Sequence, residues 1–185
     1  MIYKRMKGTI METIVQAKRV LEIFKEMSQI PRESGNEKGI SDYIVNFAKN
    51  LGLEAHQDEI LNVVIKKAAS PGYESRPSII IQGHIDMVCV KDHASNHDFS
   101  KDPIANIIEG EWMCADHTTL GADNGMGAAM MLAILEDESQ QHGPMQLLFT
   151  TNEETGMDGA FALKEGQVTG DYLIHPCGEL FICNA

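Results

Sequence analysis

The sequence predicts an α/β fold, a mixed and mainly parallel sheet flanked by helices, on three observations. Ile79-Ile80-Ile81 is an apolar run without polar alternation, which suits a strand buried on both faces. Segments of helical periodicity alternate with such runs along the chain, the pattern of helices packed on a sheet. Polar clusters follow the strands directly, where open α/β sheets carry their ligands.

The elements follow in order. Val20, Leu21, Phe24 and Met27 share one helical face, and Pro31 closes the segment,. Arg32-Glu33-Ser34-Gly35-Asn36 is a polar, turn-rich stretch. Ile40, Tyr43, Ile44, Phe47, Ala48 and Leu51, spaced at three and four, form a second helix that Gly52 terminates,. Both helices read as packing elements. Leu61–Ile65 is a β-type run, Ser70-Pro71-Gly72 a turn, and Pro77–Ile81 the next strand,. Residues 91–110 read as a polar loop, Gly125–Glu136 as a Met- and Ala-rich helix, and Met145–Thr150 as an apolar strand. Tyr172-Leu173-Ile174 and Leu180-Phe181-Ile182 supply two further strands. There is no internal repeat and no low-complexity tract.

Composition narrows the function classes. The 185 residues suffice for one domain with a proper core,. The formal charge of −12, from 15 Lys+Arg against 27 Asp+Glu, repels phosphate backbones and argues against nucleic-acid binding,. No window reaches the roughly 18 apolar residues that cross a bilayer. Met1–Thr13 has basic residues but no apolar core of a signal peptide,. The expectation is a cytoplasmic protein with no membrane partner. Cys89, Cys114, Cys177 and Cys183 lack C-x-x-C spacing and are expected as buried thiols of a reducing compartment,.

Three polar clusters carry the chemistry. In Gly83-His84-Ile85-Asp86 the two polar residues are two apart, so on a strand they share a face. A carboxylate beside an imidazole fixes its tautomer for metal binding. In Leu120-Gly121-Ala122-Asp123-Asn124-Gly125, Asp123 stands just ahead of a helix, which also suits a plain helix cap,. In Asn152-Glu153-Glu154-Thr155-Gly156 adjacent carboxylates follow a strand, a solvated acidic turn or a cation site,. Each cluster alone admits its bland reading. Together they assemble one imidazole and several carboxylates at successive strand ends, a donor set suited to Zn²⁺, Mn²⁺ or Co²⁺. A carboxylate such as Asp123 can bridge two ions about 3.5 Å apart. A nucleotide loop at Gly125 is the poorer reading, because Met130 stands where G-x-G-x-x-G needs its last glycine,.

The stretches Ile81–Val88, Thr118–Gly125 and Glu153–Met157 resemble the co-catalytic zinc family of aminoacylases, carboxypeptidases and dipeptidases, in its bacterial aminoacyl-histidine dipeptidase branch. The flanks Pro31–Asn36, Gln57–Lys67 and His97–Pro103 resemble it too. The resemblance implies that His84 binds one metal, Asp123 bridges both, Glu154 binds the other, Asp86 orients His84, and Glu153 is the general base. It implies hydrolysis of dipeptides, Xaa-His among them, by water activated between two zinc ions. It also implies a cis peptide after Asp123 and, for full-length members, a homodimer.

The sequence departs from the family pattern in places. After Ile174 the family carries a further Asp ligand, whereas here His175-Pro176-Cys177-Gly178 follows. His117 replaces a usual Gly. A late His ligand and the lid or dimerisation domain are expected to be missing, so residues 1–185 read as a C-terminally truncated, partial metallopeptidase catalytic domain. With His84, Asp123 and Glu154 alone, metal binding is expected to be weak unless His175 or Cys177 substitutes. The competing expectation is an inactive fragment that only binds or oligomerises.

Overall fold

The computed structural model describes residues 17–110, 112–177 and 179–184. Helix α1 covers 17–28 and α2 Lys38–Asn50. The strands are β1 Glu54–Gln57, β2 Val63–Lys67, β3 Ile79–His84, β4 Asn106–Glu109, β5 Trp112–Ala115, β6 Met145–Thr150, β7 Tyr172–Cys177 and β8 Glu179–Asn184. Helix α3 spans Ala122–Glu136, and the short α4 (Glu153–Gly156) and α5 (Asp158–Phe161) follow β6.

Six strands form one mixed sheet in the order β1-β2-β6-β3-β7-β8. Its centre is parallel, β3 pairing with β6 and with β7. Antiparallel partners extend it on both sides, β2 and β1 beyond β6 and β8 beyond β7. The parallel share is thus confined to the three middle strands, because β1 and β8 join through neighbours in sequence that need only tight connections.

The middle strands bury both faces. Val63, Ile65, Ile81, Leu147 and Phe149 face a core formed with α1, α2 and α3, where Phe24, Met27, Ile44, Met131 and Leu132 are fully buried. Val64, Ile80 and Leu148 face the opposite side, where Leu163, Val168 and Leu173 pack on them. Full burial of each aliphatic side chain contributes about 1.5–3 kcal/mol, so the absence of polar alternation in β3 follows from its two covered faces.

Helix α2 ends in a Schellman arrangement. Gly52 has φ 72°, its N–H bonds the Lys49 carbonyl at 3.0 Å, and the Leu53 N–H bonds that of Ala48 at 3.0 Å. Only glycine adopts that φ without strain.

Several expectations need correction. In α1 the buried face is Ile23, Phe24 and Met27, with Val20 packed beside it, while Leu21 is 38% exposed. The sheet lies against the neighbouring phase of the helix. Within the expected loop 91–110, Asn106–Glu109 pairs antiparallel with Trp112–Ala115 as a separate two-stranded ribbon. Most of its apolar side chains are exposed, Trp112 at 77% and Ile108 at 56%, while Met113 packs against the core, so no regular burial pattern marked it. Cys89 and Cys114 are free and half-buried rather than buried. Residues 1–16 and the side chains of Cys177 and Cys183 lie outside the described residues. No described helix is long and apolar enough to cross a membrane.

Candidate metal centre

Strands β3 and β6 run parallel and side by side, with His84 opposite Thr150 in register. Their carboxyl ends therefore reach the same edge of the sheet, and the chain leaving each carries polar side chains there. His84 is the last residue of β3, Asp86 lies just beyond it, and Glu153 and Glu154 open α4. Asn152 takes a left-handed φ of 53° between β6 and α4, turning the chain back toward β3.

Asp123 arrives from another direction. Asp123 and Asn124 are non-helical in φ/ψ, so regular α3 starts near Gly125, where the sequence places it. The Asp123–Asn124 peptide bond is cis.

His84 is the centre of the cluster and is fully buried. Its Nε2 lies 3.3 Å from Oδ1 of Asp123 and 3.9 Å from Oε2 of Glu153. One ligand atom each from His84, Glu153 and Glu154 falls within 4.8 Å of the others. Asp123 is 68% exposed and Glu153 37% exposed, so the open side of the imidazole is lined by carboxylates that solvent can reach.

The other ring nitrogen faces inward. His84 Nδ1 stands 3.3 Å from Oδ1 of Asp86, a contact of charge, since Nδ1 makes no aligned hydrogen bond. Asp86 has no solvent exposure, and its oxygens are saturated from elsewhere. Oδ2 accepts Ser34 Oγ–H at 2.7 Å and the Glu154 N–H at 3.1 Å, while Oδ1 accepts the Glu153 N–H at 3.1 Å. Burial alone raises a carboxylate pKa. Here His84 and the donors outweigh it and hold Asp86 at about 2.

The charges around His84 act on each other. Burial disfavours its imidazolium, but Asp86, Glu153 and Asp123 overcome that and raise its pKa. Glu154 is raised by burial and by neighbouring Glu153, Asp123 and Asp86, against the opposing pull of His84. A buried imidazole ringed by carboxylates is an environment that favours a bound cation,. The donor set, one imidazole nitrogen and carboxylate oxygens, fits a divalent ion such as zinc or manganese.

Of the residues the sequence singles out, His84, Asp86, Asp123, Glu153 and Glu154 all meet at this edge. The tight trio contains Glu153 as well as Glu154, and Asp123 approaches through His84. His175 does not join them: its Nδ1 contacts the Gln82 carbonyl at 3.1 Å. His117 sits apart, with Nδ1 2.7 Å from Asp92 Oδ2. Three residues escaped the sequence reading. Arg32 and Glu37 are buried beside the site, and Ser34 bonds Asp86. Arg32 and Ser34 stood out only as part of a polar turn and a family-like flank, and Glu37 just beyond it, with nothing to assign them a role.

Comparison with known proteins places the chain in context. Residues 80–183 match the model of peptidase family M20/M25/M40. The cytosol non-specific dipeptidase of Escherichia coli K12 is 45% identical over 158 residues, covering 85% of this chain and 33% of that protein. The crystal structure of aminoacylhistidine dipeptidase from Vibrio alginolyticus superposes with a TM-score of 0.84 at 43% identity, over 87% of this chain and 33% of that one. A tripeptidase from Staphylococcus aureus superposes with a TM-score of 0.73 at 26% identity, covering 88% of this chain and 43% of that one. The chain spans about a third of the length of the two dipeptidases it matches.

Proposed function

The chain belongs to peptidase family M20/M25/M40, and we propose that it carries the metal-binding part of a dipeptidase that works with two divalent ions. The observation behind this reading is the convergence on His84: Asp123 at 3.3 Å, Glu153 at 3.9 Å, and a trio of ligand atoms within 4.8 Å. Dipeptides, Xaa-His among them, are the substrate class, following the names of the two dipeptidase relatives. A cytosolic location follows the name of the first of these.

His84, Asp123 and Glu154 would hold the ions, with Asp123 shared between them. Bound zinc would polarise the scissile carbonyl and make the attacking water more acidic. Glu153, half-exposed beside His84, would be the general base, placed to take a proton from the attacking water and return it to the leaving amine. Asp86 keeps the imidazole turned so that Nε2 points to the open side,. Among the described residues, three ligands shared by two ions fall short of the three or four per ion that zinc sites have. With those ligands alone, metal binding would be weak and water-rich.

The test is zinc titration of the 185-residue chain with dipeptide hydrolysis measured alongside. Glu153→Gln should abolish turnover of Xaa-His dipeptides while zinc still binds. Unchanged turnover in that variant overturns the role of Glu153. Zinc binding without any hydrolysis in the unaltered chain favours the second reading, a metal-binding module without activity, which the short ligand set supports.

A further inference from the structure

The ligand-bearing segments come from three separate places in the chain: 84–86 at the end of β3, 121–123 at the start of α3, and 152–154 after β6. One short turn, 32–37, touches all of them. Arg32 donates Nη1–H to the carbonyls of Ile85 and Asp86, both at 3.2 Å, and Nη2–H to that of Gly121 at 2.6 Å. The Met87 N–H returns a bond to the Arg32 carbonyl at 3.2 Å. Ser34 donates to the Asp86 carboxylate at 2.7 Å. Glu37 Oε1 accepts both the Gly35 N–H and the Asn152 N–H at 3.0 Å, so it ties its own turn to the residue preceding Glu153.

Two features separate this turn from an ordinary connection. Arg32 and Glu37 are buried at 2% and 4% exposure, although charged side chains are rarely buried without strong compensation. The surrounding sequence also leaves room for the guanidinium. A Cβ on Gly121 would meet Arg32 Nη2 at 2.5 Å, and one on Gly125 would meet it at 2.6 Å. These glycines bracket Asp123, so the segment that presents Asp123 is shaped around Arg32.

We infer that Arg32, Ser34 and Glu37 are positioning residues that set the mutual spacing of His84, Asp123, Glu153 and Glu154, and thereby the affinity of the centre for metal. The inference rests on the metal-centre reading above. None of the three is placed as a ligand; each acts through a group that carries or orients one. Hydrogen bonds that fix ligand groups from behind typically change metal affinity by about 10- to 100-fold when removed.

The experiment is calorimetric zinc titration of the full chain and its variants, with the melting temperature of each metal-free variant recorded. Glu37→Ala removes the acceptor for Asn152, whereas Glu37→Gln keeps a carbonyl oxygen able to accept the same two N–H groups. Ser34→Ala deletes one hydroxyl at a half-buried position and serves even where Glu37→Ala does not fold. Ile44→Val, in the core away from the site, reports on stability alone.

The expected result is a zinc Kd raised about 10-fold or more in Ser34→Ala and Glu37→Ala. Glu37→Gln should recover most of the affinity, and Ile44→Val should leave it unchanged. Zinc affinity equal to that of the unaltered chain in Ser34→Ala and in folded Glu37→Ala overturns the inference alone, as does equal weakening in Ile44→Val or failure of Glu37→Gln to recover. Absence of zinc binding in the unaltered chain removes the metal reading and this inference with it.

Discussion

His84 and Asp86 face each other inside the protein, Nδ1 to Oδ1 at 3.3 Å, with neither side chain reaching solvent to any useful extent. The imidazole is thus held from behind while Nε2 looks toward Asp123 and Glu153. Removing the carboxylate in Asp86→Ala frees the ring and the backbone amides of Glu153 and Glu154 together. Zinc affinity should fall by about 10- to 100-fold, read by calorimetric titration.

Acid should weaken the metal-free chain in a predictable window. Asp86 is held at about 2 against an ordinary 3.8. A depressed carboxylate contributes stability that is present above the unfolded value and lost as pH falls from 3.8 toward 2. The contribution is about 2 kcal/mol. Urea unfolding at pH 5 and pH 2.5 measures it, and Asp86→Asn should show a smaller loss across that interval than the unaltered chain.

Zinc binding should strengthen with pH for the opposite reason. His84 has a raised pKa because of the carboxylates around it, and its imidazolium must lose a proton before Nε2 can bind a metal. Stability from the protonated ring is present below the unfolded value and lost as pH rises through the raised folded value. Zinc should therefore bind more tightly at pH 8 than at pH 6, with proton release seen as a buffer-dependent calorimetric heat.

Gly159 should not tolerate a side chain. A Cβ there would lie 2.5 Å from both the N and O of Thr151 and 2.6 Å from Oδ1 of Asn62. Backbone atoms cannot yield as side-chain tips can, and overpacking of this kind costs about 1–3 kcal/mol. Gly159→Ala should lose stability in that range by urea unfolding. It should also disturb the exit of β6, where Thr151 N–H bonds Asn62 Oδ1 at 3.1 Å.

Much of the fold could be read from the sequence because burial leaves a pattern. The Ile79–Ile81 run and the Met145–Thr150 strand are apolar on both faces, and the structure covers both faces with side chains. The three polar clusters stood out because each follows a strand or opens a helix. The short strand β1 was not legible: Glu54–Gln57 alternates between exposed and half-buried residues, and three polar residues around a single Ala55 carry no strand signal. The β4–β5 ribbon was missed because Ile107, Ile108 and Trp112 are exposed and Met113 alone packs against the core. Leu21 and Ile23 differ by only two residues, too little for periodicity to choose the face that docks. The roles of Arg32, Ser34 and Glu37 depend on contacts with residues up to 115 positions away, and local patterns do not encode such distances.

If His84, Asp123, Glu153 and Glu154 form one metal centre, zinc binds among them. Crystals grown with zinc and measured at the zinc absorption edge test it directly. An anomalous peak is expected about 2 Å from Nε2 of His84, with carboxylate oxygens of Asp123 or the Glu153–Glu154 pair in its coordination shell. Zinc peaks confined to other parts of the surface, with this cluster closed on itself around a protonated His84, would contradict it.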